Sequence, residues 1–222
     1  MEIEVRRVTK KFGYQVVFRK LNLKFDSSVI NLLTGGNGTG KTTLLKLVAG
    51  IYSPDRGEVV ITPKESHLFY LTSYSYLYRD LTVAQNIEFY SAMFQTELGS
   101  DEIARYGFSD RMEQKVRTLS TGFQHRLGLL LAFAINRDGL LLDEPMVGLD
   151  RAGQELVVEE VKRYQSLGKL VIIATHNNQL FGDSVKVQDI TEMVKSGLNK
   201  QKPLKNPSGK STTKSKEIPV EK

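Results

Sequence analysis

Residues 35–43 read Gly35-Gly36-Asn37-Gly38-Thr39-Gly40-Lys41-Thr42-Thr43, and this stretch decides the fold. It fits the pattern G-x-x-x-x-G-K-[ST], with Gly35, Gly40, Lys41 and Thr42 at the fixed places. Glycines let the backbone adopt dihedrals closed to other residues and approach a ligand closely. Consecutive N–H groups then cradle phosphate oxygens at the positive end of the helix that follows. Lys41 adds a charge beside the β- and γ-phosphates, and the Thr42 hydroxyl is a ligand for Mg²⁺. From average residue usage, a chance match in a chain this long is on the order of one in a hundred. The flanks agree with the motif. Val29 to Leu33 is a short apolar run that stops at Thr34, and Thr42 to Ala49 reads as a helix closed by Gly50. The loop implies nucleotide binding but no particular reaction.

A reaction needs a second element, and GLLLDEP, Gly139 to Pro145, supplies one. An apolar strand ends there in two carboxylates. Beside the phosphate-loop strand, it would bring Asp143 to the Mg²⁺ shell. Glu144 would then face the γ-phosphate as a general base for water. Further out, Ile3, Val5, Leu21, Leu23 and Phe25 alternate with polar residues at the period of a strand. After a turn at 53–57, Val59 to Ile61 and Leu68 to Leu71 read as strands. Val83, Ile87, Tyr90 and Phe94 form a helical stripe, and Leu127, Leu130, Leu131 and Ala134 another. Val157, Val161 and Tyr164 mark a further helix, and Leu170 to Ala174 a short buried strand. Buried strands alternating with helices predict an α/β fold with a mainly parallel sheet covered on both faces. The helical stretch starting near residue 82 is predicted to be an insertion in that body.

Composition narrows the chemistry. The chain has 222 residues and no cysteine, which excludes disulfides, thiol catalysis and cysteine-bound metal clusters. Its three histidines, His67, His125 and His176, are scattered. The longest apolar run, about Leu127 to Ile135, is far short of the roughly 20 residues a membrane span needs. MEIEVRRVTKKFG carries charges where a signal peptide has an apolar stretch, so a cytoplasmic location is expected. The net charge is +6, but residues 198–222 hold seven lysines against Glu217 and Glu221, leaving +1 for residues 1–197. The basic character therefore sits in a tail rich in Lys, Ser, Thr and Pro. Too little apolar surface is available there to offset ordering entropy, so residues 198–222 are expected to be disordered. A near-neutral body argues against a specific nucleic-acid partner.

Between the two nucleotide motifs lies LSTGFQHRL, Leu119 to Leu127, which resembles the signature motif of the ATP-binding cassette (ABC) ATPases. The rest follows in that family's order. Phe12, in KKFG, sits where the family has an aromatic that stacks on adenine, although Tyr14 is a near neighbour that could do the same. LYRDLTVAQN, Leu77 to Asn86, resembles the segment opening the family's helical subdomain. GLD, Gly148 to Asp150, resembles the D-loop, and Thr175-His176 the switch histidine. The resemblance covers about residues 1–195. It implies a P-loop NTPase fold of ABC type, with an N-terminal antiparallel β subdomain and a helical subdomain inserted at about 82–138, in a domain spanning 1–197.

The resemblance also implies roles. ATP and Mg²⁺ would be held by Phe12, by Gly35, Gly36, Asn37, Gly38, Thr39, Gly40, Lys41, Thr42 and Thr43, and by Asp143. Glu144, His176 and Lys41 would act in hydrolysis. Two subunits would pair head to tail, so that Ser120, Thr121 and Gly122 of one reach the ATP of the other, with Asp150 in the D-loop. Read alone, Ser120 is simply a helix N-cap. Three positions depart from the family pattern. Ser73 stands where the family has a glutamine linking Mg²⁺ and water to the transport partner, and its shorter side chain would act through a bridging water. Thr121 replaces the signature's first glycine, and Phe123 its final glutamine.

The function expected is that of an ATP-hydrolysing subunit powering a membrane transporter, of the small export type that includes haem exporters. Its partner would be a separate transmembrane permease, which places the chain peripherally on the inner face of the cell membrane. The permease groove is expected along Ser73 to Asp80, with Tyr70, Tyr74, Tyr76 and Tyr78. The alternatives are a soluble ABC ATPase acting on ribosomes or DNA, and a nucleotide kinase, which would leave LSTG unexplained.

Overall fold

The structure is a computed structural model and describes residues 1–72, 76–176, 179–182, 185–191 and 194. Ser73 and the 198–222 tail lie outside the described residues. The strands are β1 (Glu2–Phe12), β2 (Gln15–Asp26), β3 (Ile30–Thr34), β4 (Arg56–Thr62), β5 (Leu68–Leu71), β6 (Gly139–Asp143), β7 (Leu170–Ala174) and β8 (Val185–Asp189). The helices are α1 (Lys41–Val48), α2 (Val83–Phe94), α3 (Ser100–Arg105), α4 (Thr121–Ala134) and α5 (Arg151–Ser166). An antiparallel sheet runs β2-β1-β4, and a parallel one runs β5-β6-β7-β3-β8.

Period-two packing builds two cores on the parallel sheet. Ile30, Leu32, Leu140, Leu142, Val171 and Ile173 face one way, against α4 and α5. Leu33, Leu141, Leu170, Ile172 and Ala174 face the other, against α1 and the antiparallel sheet. Every residue of β6 and β7 is buried, so alternation in the sequence gives way to continuous apolar runs.

One strand relationship differs from the sequence expectation. β6 is not beside β3, because β7 lies between them. The periodicity marks strands without ordering them; the order is set by α5 carrying the chain from β6 to β7. The register nevertheless brings the strand ends level. Asp143 pairs with Ala174, and Ala174 pairs with Leu33.

Helices α2, α3 and α4 all lie between β5 and β6 in the chain. Helix α2 starts with a reciprocal capping box, in which Gln85 N donates to Thr82 Oγ1 at 3.1 Å and Thr82 N donates to Gln85 Oε1 at 2.9 Å. Helix α3 is tied to α5 by ion pairs of Arg105 with Glu159 and with the buried Glu160, which Arg163 also holds at 2.7 Å.

Candidate nucleotide site

The loop from β3 to α1 has the backbone that the motif requires. Gly35 has φ +143° and Gly40 φ +101°. A Cβ on Gly40 would stand 2.7 Å from both Phe18 Cζ and Val17 Cγ1, and one on Gly35 would be 2.8 Å from Thr191 Oγ1. Helices α2, α4 and α5 begin with Thr82, Ser120 and Asp150, whose side chains accept a first-turn N–H. Helix α1 begins at left-handed Gly40 with no side-chain cap. Its first N–H groups therefore remain available to an anion, at the positive end of the dipole.

The ends of β6 and β7 converge on this loop. Lys41 Nζ donates to Gly35 O at 2.8 Å and lies 3.8 Å from Glu144 Oε1. His176 Nε2 is 3.0 Å from the same carboxylate oxygen and 3.5 Å from Lys41 Nζ. Glu144 N donates to Ala174 O at 2.9 Å, and Thr175 N to Leu33 O at 3.1 Å. Glu144 also has φ +53°, a left-handed conformation costly for a non-glycine residue. It is held by the β6 and β7 ends on one side and by two cationic or polar groups on the other. Thr42 is exposed in the first turn of α1, and Asp143 is 7% exposed. Asn37, Gly38 and Thr39 form the outer bend, where Thr39 Oγ1 donates to Gly36 O at 2.9 Å, and Thr43 continues α1.

A second cluster forms where α4 meets the turn before α5. Ser120 is the N-cap of α4, its Oγ accepting from Phe123 N at 3.4 Å. Thr121 and Gly122 form the first turn, and a Cβ on Gly122 would stand 3.0 Å from Gly148 O. Asp150 caps α5, accepting from Gly153 N at 2.9 Å, and pairs with Arg126. The capping bond, then Arg126, hold its carboxyl below the usual range. Among the described residues, no hydrogen bond or ion pair joins this cluster to the phosphate loop. Phe123, which departs from the family pattern, lies with its ring 4.3 Å from the Arg111 guanidinium and 5.4 Å from that of Arg126. The stacking gives the substituted position a packing role on α4.

Sequence reasoning missed His125. Its imidazole is buried, and Nδ1 is 2.7 Å from Val147 O, linking α4 to the turn that carries Asp150. A carbonyl can only accept, so Nδ1 carries the proton. Burial pushes this imidazole below its ordinary value, opposed by the carbonyl bond. The folded state therefore resists a proton that the unfolded chain takes up near pH 6.5. The unfolded state binds more protons as pH falls through that range, so stability drops there. Melting curves between pH 7.5 and 5.5 should show a smaller acid loss for His125→Gln than for the native chain. Parallel losses would place the acid sensitivity elsewhere.

Phe12, at the end of β1, is 44% exposed and packs edge-on to Tyr52 at 5.4 Å, under Lys10; Tyr14 is fully exposed. Tyr76 and Tyr78 are exposed, as a docking lip requires. Tyr70 is not: it is 8% exposed and donates to Asp143 Oδ2 at 3.1 Å. β5 is the edge strand of the parallel sheet, but the Tyr70 side chain packs into the core on the α1 side, so the expected groove loses this tyrosine. Tyr74 lies outside the described residues.

Residues 18–147 match the family described as ABC transporter. The cytochrome c biogenesis ATP-binding export protein CcmA of Aliivibrio fischeri is 29% identical over 200 residues, covering 85% of this chain and 98% of that protein. CcmA of Cereibacter sphaeroides is 31% identical, covering 79% of this chain and 83% of its own. Among solved structures, a putative ABC transporter ATP-binding protein from Pyrococcus furiosus superposes with TM-score 0.74 at 19% identity, over 86% of this chain and 98% of that one. The dimeric, post-hydrolysis structure of an ATP-binding cassette bound to ADP and phosphate gives TM-score 0.70 at 21% identity, over 85% and 94%. These structures share the fold.

Proposed function

The chain belongs to the ABC transporter family of ATP-binding proteins, and from that premise we propose that it powers an exporter of the cytochrome c biogenesis type, in which its relatives are named. It is an ATPase subunit of a membrane transporter. The observation that carries the catalytic reading is Glu144, held within 3.0 Å of His176 and 3.8 Å of Lys41 at the mouth of the phosphate loop. Glu144 accepts a proton from the attacking water at Oε1. His176 Nε2 orients that carboxylate, and Lys41 turns from the loop carbonyls to the β- and γ-phosphates. The walls of the site are Gly35, Gly36, Asn37, Gly38, Thr39, Gly40 and Thr43, with Phe12 as the adenine platform.

Asp143 and Thr42 suit Mg²⁺, a hard cation that favours oxygen ligands and takes few of them from protein. Among the described residues there is no cluster of three or more His, Cys, Asp or Glu side chains able to hold a metal alone. Two protein oxygens plus phosphate oxygens fit a cation that arrives with the nucleotide. When bound, Mg²⁺ neutralises charge on the β- and γ-phosphates.

In the homodimer, Ser120, Thr121 and Gly122 of one subunit, at the N-terminus of α4, meet the γ-phosphate held by the other, with Asp150 alongside. The separation of this cluster from the phosphate loop within one chain supports the trans arrangement. Among the described residues no helix is long and apolar enough to cross a membrane. We assign the span to a separate permease, with this chain peripheral on the inner face of the membrane. Its docking site is a cleft of about 350 Å³ bounded by Ala49, Ile61, Phe69, Phe94 and Arg137. A run of ring contacts, Phe69 to Phe94 at 5.9 Å, Phe94 to Tyr90 at 6.2 Å and Tyr90 to Tyr78 at 6.3 Å, extends it as an aromatic ridge. Aromatic residues are favoured at interfaces.

Phosphate release from ATP tests the ATPase, and purification in detergent tests the partner. A co-purifying multi-span protein supports transport; ATPase stimulated by ribosomes or DNA instead would favour the soluble alternative. The ATP-binding domain is assigned to residues 1–197, with the helical subdomain at about 82–138. Truncation after Gly197 should leave ATP hydrolysis unchanged, and a large loss would make the tail part of the catalytic unit. The tail's lysines are suited to an anionic membrane leaflet, at about 1 kcal/mol each near the surface.

A further inference from the structure

Tyr70, expected from the sequence in the docking groove, has no place in the proposed docking site, and its position is unusual. It sits on the face of the sheet formed by Leu33, Leu141, Ile172 and Ala174, an otherwise apolar surface. In the β5–β6 register Tyr70 is level with Leu141, two residues short of Asp143. Two residues along a parallel strand advance about 6.6 Å. Leu141 and Asp143 point to the same face, so a side chain at position 70 must run that distance to reach the carboxylate. Tyrosine spans it: its hydroxyl donates to Asp143 Oδ2 at 3.1 Å while the ring stays packed in the core. Phenylalanine would fill the same volume without the hydroxyl that donates to Oδ2; leucine or valine would stop short of it.

We propose that Tyr70 is a positioning residue for the nucleotide-borne cation, fixing the plane of the Asp143 carboxylate through Oδ2 before the nucleotide binds. The inference rests on Asp143 being a metal ligand, as assigned above. A carboxylate on a strand end turns about its last bond, and the buried hydrogen bond from Tyr70 to Oδ2 narrows that freedom. Tyr70 is the donor of this pair, because a carboxylate oxygen accepts and the phenol hydroxyl carries the proton. Donation to the carboxylate also withdraws some negative charge, which opposes cation binding. Orientation wins where ligating carboxylates are themselves hydrogen-bonded, since losing such a partner typically costs about 10–100-fold in metal affinity or activity. A buried phenol that merely needs a partner would satisfy its hydroxyl the same way but leave cation affinity untouched, and that separates the two roles.

The test uses the full chain with saturating AMP-PNP and Mn²⁺ as the spectroscopic cation, free Mn²⁺ being read by electron paramagnetic resonance. Tyr70→Phe should raise the half-saturating Mn²⁺ concentration about 10-fold. AMP-PNP affinity in EDTA should stay within about twofold, which also shows that the variant is folded. Asp143→Asn is measured alongside. If Asp143→Asn weakens Mn²⁺ binding and Tyr70→Phe binds it like the native chain, the positioning role is overturned while Asp143 stands as ligand. If Asp143→Asn leaves Mn²⁺ binding unchanged, the ligand assignment fails and takes the Tyr70 role with it. If Tyr70→Phe loses nucleotide affinity in EDTA as well, Tyr70 is structural and the proposal is wrong.

Discussion

Glu144→Gln should bind ATP as the native chain does and hydrolyse it about 10²–10⁴-fold more slowly, the range that general-base catalysis contributes. The amide has the carboxylate's shape but cannot take a proton from water. The surroundings make the substitution cleaner here than at an exposed acid. The Glu144 backbone is anchored by its N–H to Ala174 O, and its side chain is only 21% exposed. The amide would stay close to His176, because the 3.0 Å contact can be kept as a hydrogen bond between Nε2 and the amide. The repulsion between a second negative charge and the γ-phosphate would also disappear. The variant should therefore accumulate as an ATP-bound dimer, visible as an ATP-dependent shift on gel filtration. Hydrolysis at the native rate would remove Glu144 from the role of base. The strained φ of +53° gives a second reading of the same residue. Glu144→Gly should relieve that strain and raise the melting temperature even as activity falls.

The local chemistry of the site was legible in the sequence because it is written in contiguous residues. GGNGTGKTT contains its own glycines, cation and hydroxyl, and the structure places them as a left-handed, side-chain-free start to α1. Ser120 was legible as an N-cap for the same reason: a cap and the N–H it serves are three residues apart. What the sequence hid is set by strand order and register. No periodicity states that β7 separates β3 from β6, since both arrangements bury the same runs. Tyr70 looked like one of a row of interface tyrosines because the row is continuous in sequence. Only the pairing of β5 with β6 shows that it belongs to the interior and aims at Asp143. His125 was hidden by its polar neighbours in FQHRL, although it falls four residues before the buried Leu129, on the same side of α4.

Gly122→Asp should leave nucleotide affinity of the isolated subunit unchanged while lowering hydrolysis about 10²–10³-fold, the loss that follows removal of one pre-organised donor from a transition state. Two effects of the substitution oppose each other. An aspartate in the first turn of α4 favours the helix, because negative charge there complements the dipole by about 0.3–1 kcal/mol. The same charge would occupy the end of the helix that, in the dimer, faces the γ-phosphate of the other subunit. The dipole gain is at most about 1 kcal/mol. Repulsion between a carboxylate and a phosphate about 4 Å apart is about 4 kcal/mol per unit charge at an effective dielectric of 20. Repulsion prevails, so the expected outcome is a stable monomer that binds ATP and fails to pair. Gly122→Ala separates charge from crowding. Its Cβ also meets Gly148 O at 3.0 Å, so the turn before α5 would have to yield by a few tenths of an ångström. Pairing in the alanine variant with loss in the aspartate variant would identify the α4 N-terminus as the trans anion site. Equal loss in both would mean that the close approach of α4 to Gly148, rather than its charge, is what the second glycine of the signature protects. Native activity in both would show that this helix end does not meet ATP.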